Sequence, residues 1–173
     1  MIVALTGKTA CGKTTLAKKL RADGFKQIVA WTTRPRRPGE VDGEDYNYVS
    51  PEDFNALKDS GFFAETITYR TTFGDWSYGT AKGDYQDGCF VILTPKGVKL
   101  AEESIGFSLM TVYLDCDEAE VQQRLKNRGD NPLEINRRLQ SDAIDFAGFK
   151  PDVVLSQKDV NTISKMLEDC ISP

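Results

Sequence analysis

Residues 2–20 read IVALTGKTACGKTTLAKKL. Ile2 to Leu5 is a short apolar, β-branched run, and Gly7 and Gly12 break it. From Thr14 the segment TTLAKKLRAD places Leu16, Ala17 and Leu20 on one helical face. A buried strand, a glycine-rich turn and a helix therefore follow one another directly. The turn, Gly7 to Thr14, spells GKTACGKT and fits the pattern G-x-x-x-x-G-K-[ST]. Glycines let the backbone fold so tightly that successive N–H groups face one point, at the positive end of a helix dipole. Such a point holds an anion. Gly7, Lys8, Thr9, Ala10, Cys11, Gly12, Lys13, Thr14 and Thr15 form the candidate phosphate cradle. Lys13 is expected to reach the β- and γ-phosphates of ATP, and the Thr14 hydroxyl to ligate Mg²⁺. Cys11 lies inside the cradle near Lys8 and Lys13, either as an oxidation-sensitive thiol or as a small filler.

Downstream, Phe25 to Trp31 reads as a second strand, and residues 32–48, TTRPRRPGEVDGEDYNY, as a loop too rich in proline, glycine and charge for a long regular element. SPEDFNALKDSG (50–61) has a Ser N-cap, Pro at the first helical position and a closing Gly. Strand-like FFAETITY (62–69) precedes a stretch of Thr, Gly and aromatics that reads as a loop up to Gly79. Strands at CFVILT, MTVYLD and VVLS then alternate with helices starting at Pro95, Glu118, Glu134 and Val160. That alternation predicts an α/β chain whose parallel sheet is covered by helices on both faces, in the P-loop NTPase manner. The expected division is a single domain over 1–173, with a core of 1–33, 80–123 and 139–173, an inserted acceptor-binding lobe at 34–79 and a short helical lid at 124–138.

Composition narrows the chemistry. With 173 residues and 40% hydrophobic content the chain can build one well-packed core. It has no histidine, which removes His-based triads, His-containing metal sites and imidazole acid–base catalysis. Cys11, Cys89, Cys116 and Cys170 are far apart, which argues against a zinc site or a disulfide framework. A net charge of -4 speaks against a nucleic-acid partner, though not against a small anion held by local positive charge. The first residues lack a basic n-region and are too short an apolar run to span a membrane, so a cytoplasmic protein is expected.

Positive charge gathers at two further places. TTRPRRPGEVDGEDY (32–46) carries Arg34, Arg36 and Arg37, whose planar forks suit phosphate oxygens, and then Tyr46. QQRLKNRGDNPLEINRRL (122–139) sets Arg124 and Arg128 four apart on one helix face, with Arg137 and Arg138 in the next helix. Taken alone, either could be a solvated basic surface. Together with the phosphate cradle, the chain resembles the guanylate kinase family, whose hallmark runs approximately T-T-R-x-P-R-x-G-E-x-x-G-x-D-Y. Thr32, Thr33, Arg34, Arg37, Gly39, Glu40, Gly43, Asp45 and Tyr46 fall in register with it, and Tyr78-Gly79-Thr80 follows later.

The resemblance implies a kinase that moves the γ-phosphoryl of ATP, with Mg²⁺, onto a nucleoside monophosphate such as GMP or dGMP. It implies that Arg34, Arg37, Tyr46 and Tyr78 hold the acceptor phosphate, with Glu65 and Thr80 on the base side, and that Lys13, Arg124, Arg128 and Arg138 are catalytic. A carboxylate at Glu65 can accept from two adjacent donors such as guanine N1–H and its 2-amino group; otherwise Glu65 is a strand residue facing solvent. Small-molecule substrates, no membrane, and a monomer or homodimer complete the expectation.

Four departures from the family accompany the likeness. Ala30 and Trp31 stand where a guanine-reading serine is usual, and Leu93, Thr94 and Pro95 replace an acidic D-x-D. Ser156-Gln157 replaces Asn-Asp, and RTTFGDWS (70–77) is a longer connection, from which Arg70, Thr72, Asp75 and Trp76 are candidates for substitute contacts. Asp115 and Asp117 either bring carboxylates to the ligand edge of the sheet or cap the helix that follows. Two other readings stay open: a kinase of a sugar phosphate, and a binding module without catalysis.

Overall fold

The structure, a computed structural model, describes residues 1–127, 131–156 and 160–171. Along the chain it builds β1 (Val3–Thr6), α1 (Lys13–Ala22), β2 (Lys26–Ile28), β3 (Trp31–Thr32), β4 (Asn47–Tyr48), α2 (Pro51–Asp59), β5 (Phe63–Thr71) and β6 (Gly74–Ala81). Then follow β7 (Cys89–Ile92), α3 (Pro95–Ile105), β8 (Met110–Asp115), α4 (Glu118–Asn127), α5 (Pro132–Asp145), β9 (Val153–Ser156) and α6 (Val160–Ile171).

Every residue of β1 is buried, as a central strand covered on both faces requires. It pairs in parallel with β7 on one side and β8 on the other, within a sheet ordered β2-β7-β1-β8-β9. Alternate side chains feed two cores. Val3 and Leu5 pack with Leu16 and Leu20 of α1 and with Ile163 and Leu167 of α6. Ile2 and Ala4 face the other way, onto Val98 and Ala101 of α3. The predicted two-sided α/β core is therefore present.

A second sheet, ordered β4-β3-β6-β5, rises from this core. Two expectations give way here. The run Phe25–Trp31 is two strands, not one: β2 stays in the main sheet, while β3 belongs to the second. Asn47 causes the break, its amide taking the Ala30 carbonyl (2.9 Å) and its side chain the Val29 carbonyl (3.2 Å). The expected loop up to Gly79 is mostly β6, which pairs with β5 in a hairpin turning at Thr72 and Phe73. Gly74 at φ 115° closes the turn, and the Thr71 hydroxyl donates to the Gly74 carbonyl (2.7 Å). Helix α2 starts as expected, with Ser50 Oγ accepting from the Asp53 amide and Pro51 at its head.

An ion pair pins the loop between β3 and β4. Arg34, 4% exposed, donates from one nitrogen to both Glu40 oxygens (2.7 and 3.0 Å) and lies over the Tyr46 ring. Glu40 also accepts from the Tyr48 hydroxyl (2.7 Å) and the Arg37 amide (2.8 Å). Burial works to raise the Glu40 carboxyl, but these donors outweigh it and hold the group down at about 2. Its stabilising effect is complete above the ordinary carboxylate value and fades as pH falls toward 2.

Two outcomes follow from this packing. A Cβ at Gly7, where φ is 150°, would meet Cys11 Sγ at 2.6 Å and the Leu114 carbonyl at 3.0 Å. Gly7→Ala is therefore expected to lower stability by roughly 2 kcal/mol or more, measurable by denaturant unfolding. Glu40→Gln leaves Arg34 buried beside a neutral partner. It should cost about 3 kcal/mol at pH 7, with the gap to the parent narrowing between pH 4 and pH 2 in thermal melts.

Candidate active site

The glycine turn after β1 is wound as its letters predict. Gly12 adopts the left-handed conformation at the head of α1 (φ 97°), and Ala10 does so without being glycine (φ 59°). Lys13 folds back along the turn, its Nζ donating to the Gly7 and Lys8 carbonyls (2.5 and 2.8 Å). Cys11 is 1% exposed and packs into the core beneath, so it is the filler of the two options.

A cavity of about 330 Å³ opens from this turn and runs to the second sheet. Gly7, Thr9, Lys13 and Thr14 wall one end. Arg34, Arg37, Tyr46, Glu65, Tyr78 and Thr80 line the other, and Arg138 reaches in from α5. One space thus joins most of the side chains singled out from sequence. Lys8, Ala10, Cys11, Gly12 and Thr15 shape the turn without lining the cavity. Arg124 sits behind the turn rather than in the cavity, donating to the Ala10 carbonyl (3.1 Å) and pairing with Glu120. Arg128 lies outside the described residues, as does Gln157.

The end of the cavity at the second sheet owes its shape to a bulge. Register shifts between Phe63 and Glu65, so Ala64 joins the core while Glu65 turns into the cavity opposite Thr80. Glu65 is 7% exposed, and its Oε1 accepts from the Thr80 hydroxyl (3.0 Å). While Glu65 is ionised that hydrogen is spent, and Tyr85 is then the donor in its 2.7 Å contact with Thr80. Burial pushes the Glu65 carboxyl up to about 7, against the Thr80 bonds. Alternate residues of the hairpin continue the wall: Ile67, Tyr69 and Thr71 on β5, Trp76 and Tyr78 on β6. Burial raises the Tyr78 phenol, and the opposing fields come from Arg34, Arg37 and Arg138. Arginines of the β3–β4 loop and of α5 therefore act on one hydroxyl.

Of the candidates for substitute contacts, Trp76 alone lines the cavity. Arg70 is 92% exposed at the hairpin end, 3.8 Å from Asp75, and Thr72 is exposed in the turn. Ala30 lines the cavity with no hydrogen-bonding side chain. Asp117 caps α4, its Oδ1 accepting from the Ala119 amide (2.7 Å), which favours the capping alternative for that residue.

Helix α5 contributes groups that sequence reading passed over. Glu134, 2% exposed, accepts from Arg137 (2.9 and 2.8 Å) and from Arg138 (3.0 Å). Burial opposes its charge, but the two guanidinium groups hold it below the usual carboxylate range. The Arg137 guanidinium lies over Tyr69, joining α5 to the second sheet. Asp142 accepts from the Thr9 amide at 2.7 Å. Four-residue spacing from Glu134 through Arg138 to Asp142 was the available signal. Among the described residues no cluster of three or more His, Cys, Asp or Glu could hold a metal, and no helix is long and apolar enough to cross a membrane.

Known proteins match this chain over its length. The family model described as guanylate kinase matches residues 1–173. A guanylate kinase of Ruegeria sp. (strain TM1040) is 31% identical over 185 aligned positions, covering 99% of this chain and 83% of the relative. One from Syntrophus aciditrophicus (strain SB) is 32% identical, covering 79% of this chain and 68% of the relative. The crystal structure of guanylate kinase from Anaplasma phagocytophilum superposes with a TM-score of 0.71 at 22% identity, over 99% of this chain and 87% of that one, and supports the fold. By the match of its sequence, the chain belongs to the guanylate kinase family.

Proposed function

We propose that this protein is a cytoplasmic ATP-dependent nucleoside monophosphate kinase, transferring the γ-phosphoryl group to GMP or dGMP. The observation that carries this reading is the shared cavity, with Lys13 and Thr14 at one end and Arg34, Arg37, Tyr46, Tyr78 and Glu65 at the other. Donor and acceptor phosphates held at those two ends would meet beside Arg138. In this reading 34–79 is the acceptor lobe and 124–138 the lid, on a core formed by the rest.

In-line transfer needs positioning and charge stabilisation more than covalent help from the protein. The attacking oxygen is an acceptor phosphate oxygen, already anionic near neutral pH, so no general base is required. That suits a chain without histidine. Lys13 and Arg138, which line the cavity, would stabilise the charge on the moving group; Arg124, which holds the Ala10 carbonyl from behind the turn, would have to swing round to join them, and Arg128 is the fourth cation that the resemblance names. Arg34, Arg37, Tyr46 and Tyr78 would fix the acceptor, and Glu65 with Thr80 would receive hydrogens from the base edge. Among side chains, the Thr14 hydroxyl is the candidate ligand for Mg²⁺, and such a sparse donor set suits an ion that takes the rest of its shell from phosphates and water. When bound, the ion supplies neutralisation of the phosphate chain. Closing the cavity over both substrates would keep water from the γ-phosphate.

The test is ADP release from MgATP with GMP, dGMP, other nucleoside monophosphates, a ribose phosphate, or no acceptor. Turnover with a guanine nucleotide, lowered at least 100-fold by Lys13→Ala, is the expected result. A rate that ignores the acceptor, or a Lys13→Ala variant as fast as the parent, would refute it. Glu65 gives a second outcome. The carboxylate form dominates only above about pH 7, so acceptor KM should fall as pH rises from 6 to 8. Glu65→Gln should raise KM roughly tenfold or more and remove the part of that pH trend that the acceptor's own phosphate does not explain.

A further inference from the structure

The turn between β1 and α1 points its amides at a site for phosphate, yet one of them is taken by the protein. The Thr9 N–H donates to Asp142 Oδ2 at 2.7 Å, across 133 residues of chain. Lys13 Nζ rests on the Gly7 and Lys8 carbonyls, next to Thr9. The lysine of this motif serves the β- and γ-phosphates, so Thr9 belongs to the outer end of the phosphate chain. Two turns back on the same helix, Glu134 holds Arg137 and Arg138, which also face the cavity or its rim. Helix α5 thus brings one carboxylate to the loop amide and another to the lid guanidinium groups.

We infer that Asp142 is a surrogate anion for the outermost phosphate of the donor, and that it sets donor affinity by competing for the Thr9 amide. This rests on the donor-site reading given above. A carboxylate and a phosphate oxygen cannot share one N–H without close like-charge contact. A donor whose phosphate chain reaches Thr9 must displace Asp142, and with it shift α5. A monophosphate that stops short of Thr9 need not. Asp142 therefore weighs against long phosphate chains and is a specificity-determining residue for the donor.

Titration calorimetry of AMP, ADP and ATP in EDTA tests this on the whole protein, comparing the parent with Asp142→Asn and Asp142→Ala. Both variants should bind ATP roughly three- to tenfold more tightly, with AMP unchanged within about twofold. In turnover, KM for ATP should fall while KM for the acceptor stays put. If Asp142 merely anchors α5, both variants will bind ATP no better or worse than the parent, and the inference is overturned. Equal tightening of AMP and ATP overturns it as well, since that points to the nucleoside and not to the outer phosphate. Should the parent itself fail to bind ATP, the donor-site reading falls first; a parent that binds and variants that match it sink this inference alone.

Discussion

Backbone amides that converge on a point repel one another's positive ends, and the chain can hold them so only if the turn is braced from outside. Here the bracing is steric and ionic together. Gly7 lies so close to Cys11 and to the Leu114 carbonyl that no side chain fits, which ties the turn to strand β8. Lys13 closes back over two carbonyls, and Arg124 takes a third from behind, at Ala10. Asp142 then neutralises an amide from in front. The turn touches its surroundings on every side: Lys13 lines the cavity, Cys11 enters the core beneath α1, and Thr9 meets α5 at Asp142.

The loop between β3 and β4 meets a related electrostatic problem differently. Arg34 is nearly inaccessible, and a buried guanidinium without a partner would be strongly destabilising. Glu40 supplies that partner and is itself fixed by Tyr48 and by the Arg37 amide. The arrangement leaves Arg34 immobile over the Tyr46 ring, so its orientation is set before any ligand arrives. The bulge at Phe63–Glu65 does comparable work on the neighbouring strand by sending adjacent residues to opposite duties, Ala64 to the core and Glu65 to the cavity.

Which parts could be read from the letters follows from how local their causes are. The phosphate turn declares itself because strand, glycines, lysine and helix sit in one contiguous stretch. Ser50 with Pro51 marks the start of α2 for the same reason. The second sheet was harder. Strand β6 carries Gly74, Asp75 and Ser77, letters common in loops, and its inward set of Trp76, Tyr78 and Thr80 makes sense only against Tyr69, Ile67 and Glu65 of β5. The split between β2 and β3 depends on Asn47, many residues away, drawing off two carbonyls. Asp142 and Glu134 carry no local mark, because carboxylates on a helix are ordinarily solvated and nothing near Asp142 in sequence names Thr9 as its partner.

Those inward pairings also govern what the outside of the molecule offers. Arg34 and Arg138 are turned away from bulk water and already matched by Glu40 and Glu134. Two guanidinium groups matched inside the molecule add little positive potential to its surface, and the sequence as a whole carries a net charge of -4. Any ligand that would use these arginines therefore meets them already paired, each with a carboxylate to outcompete or to share.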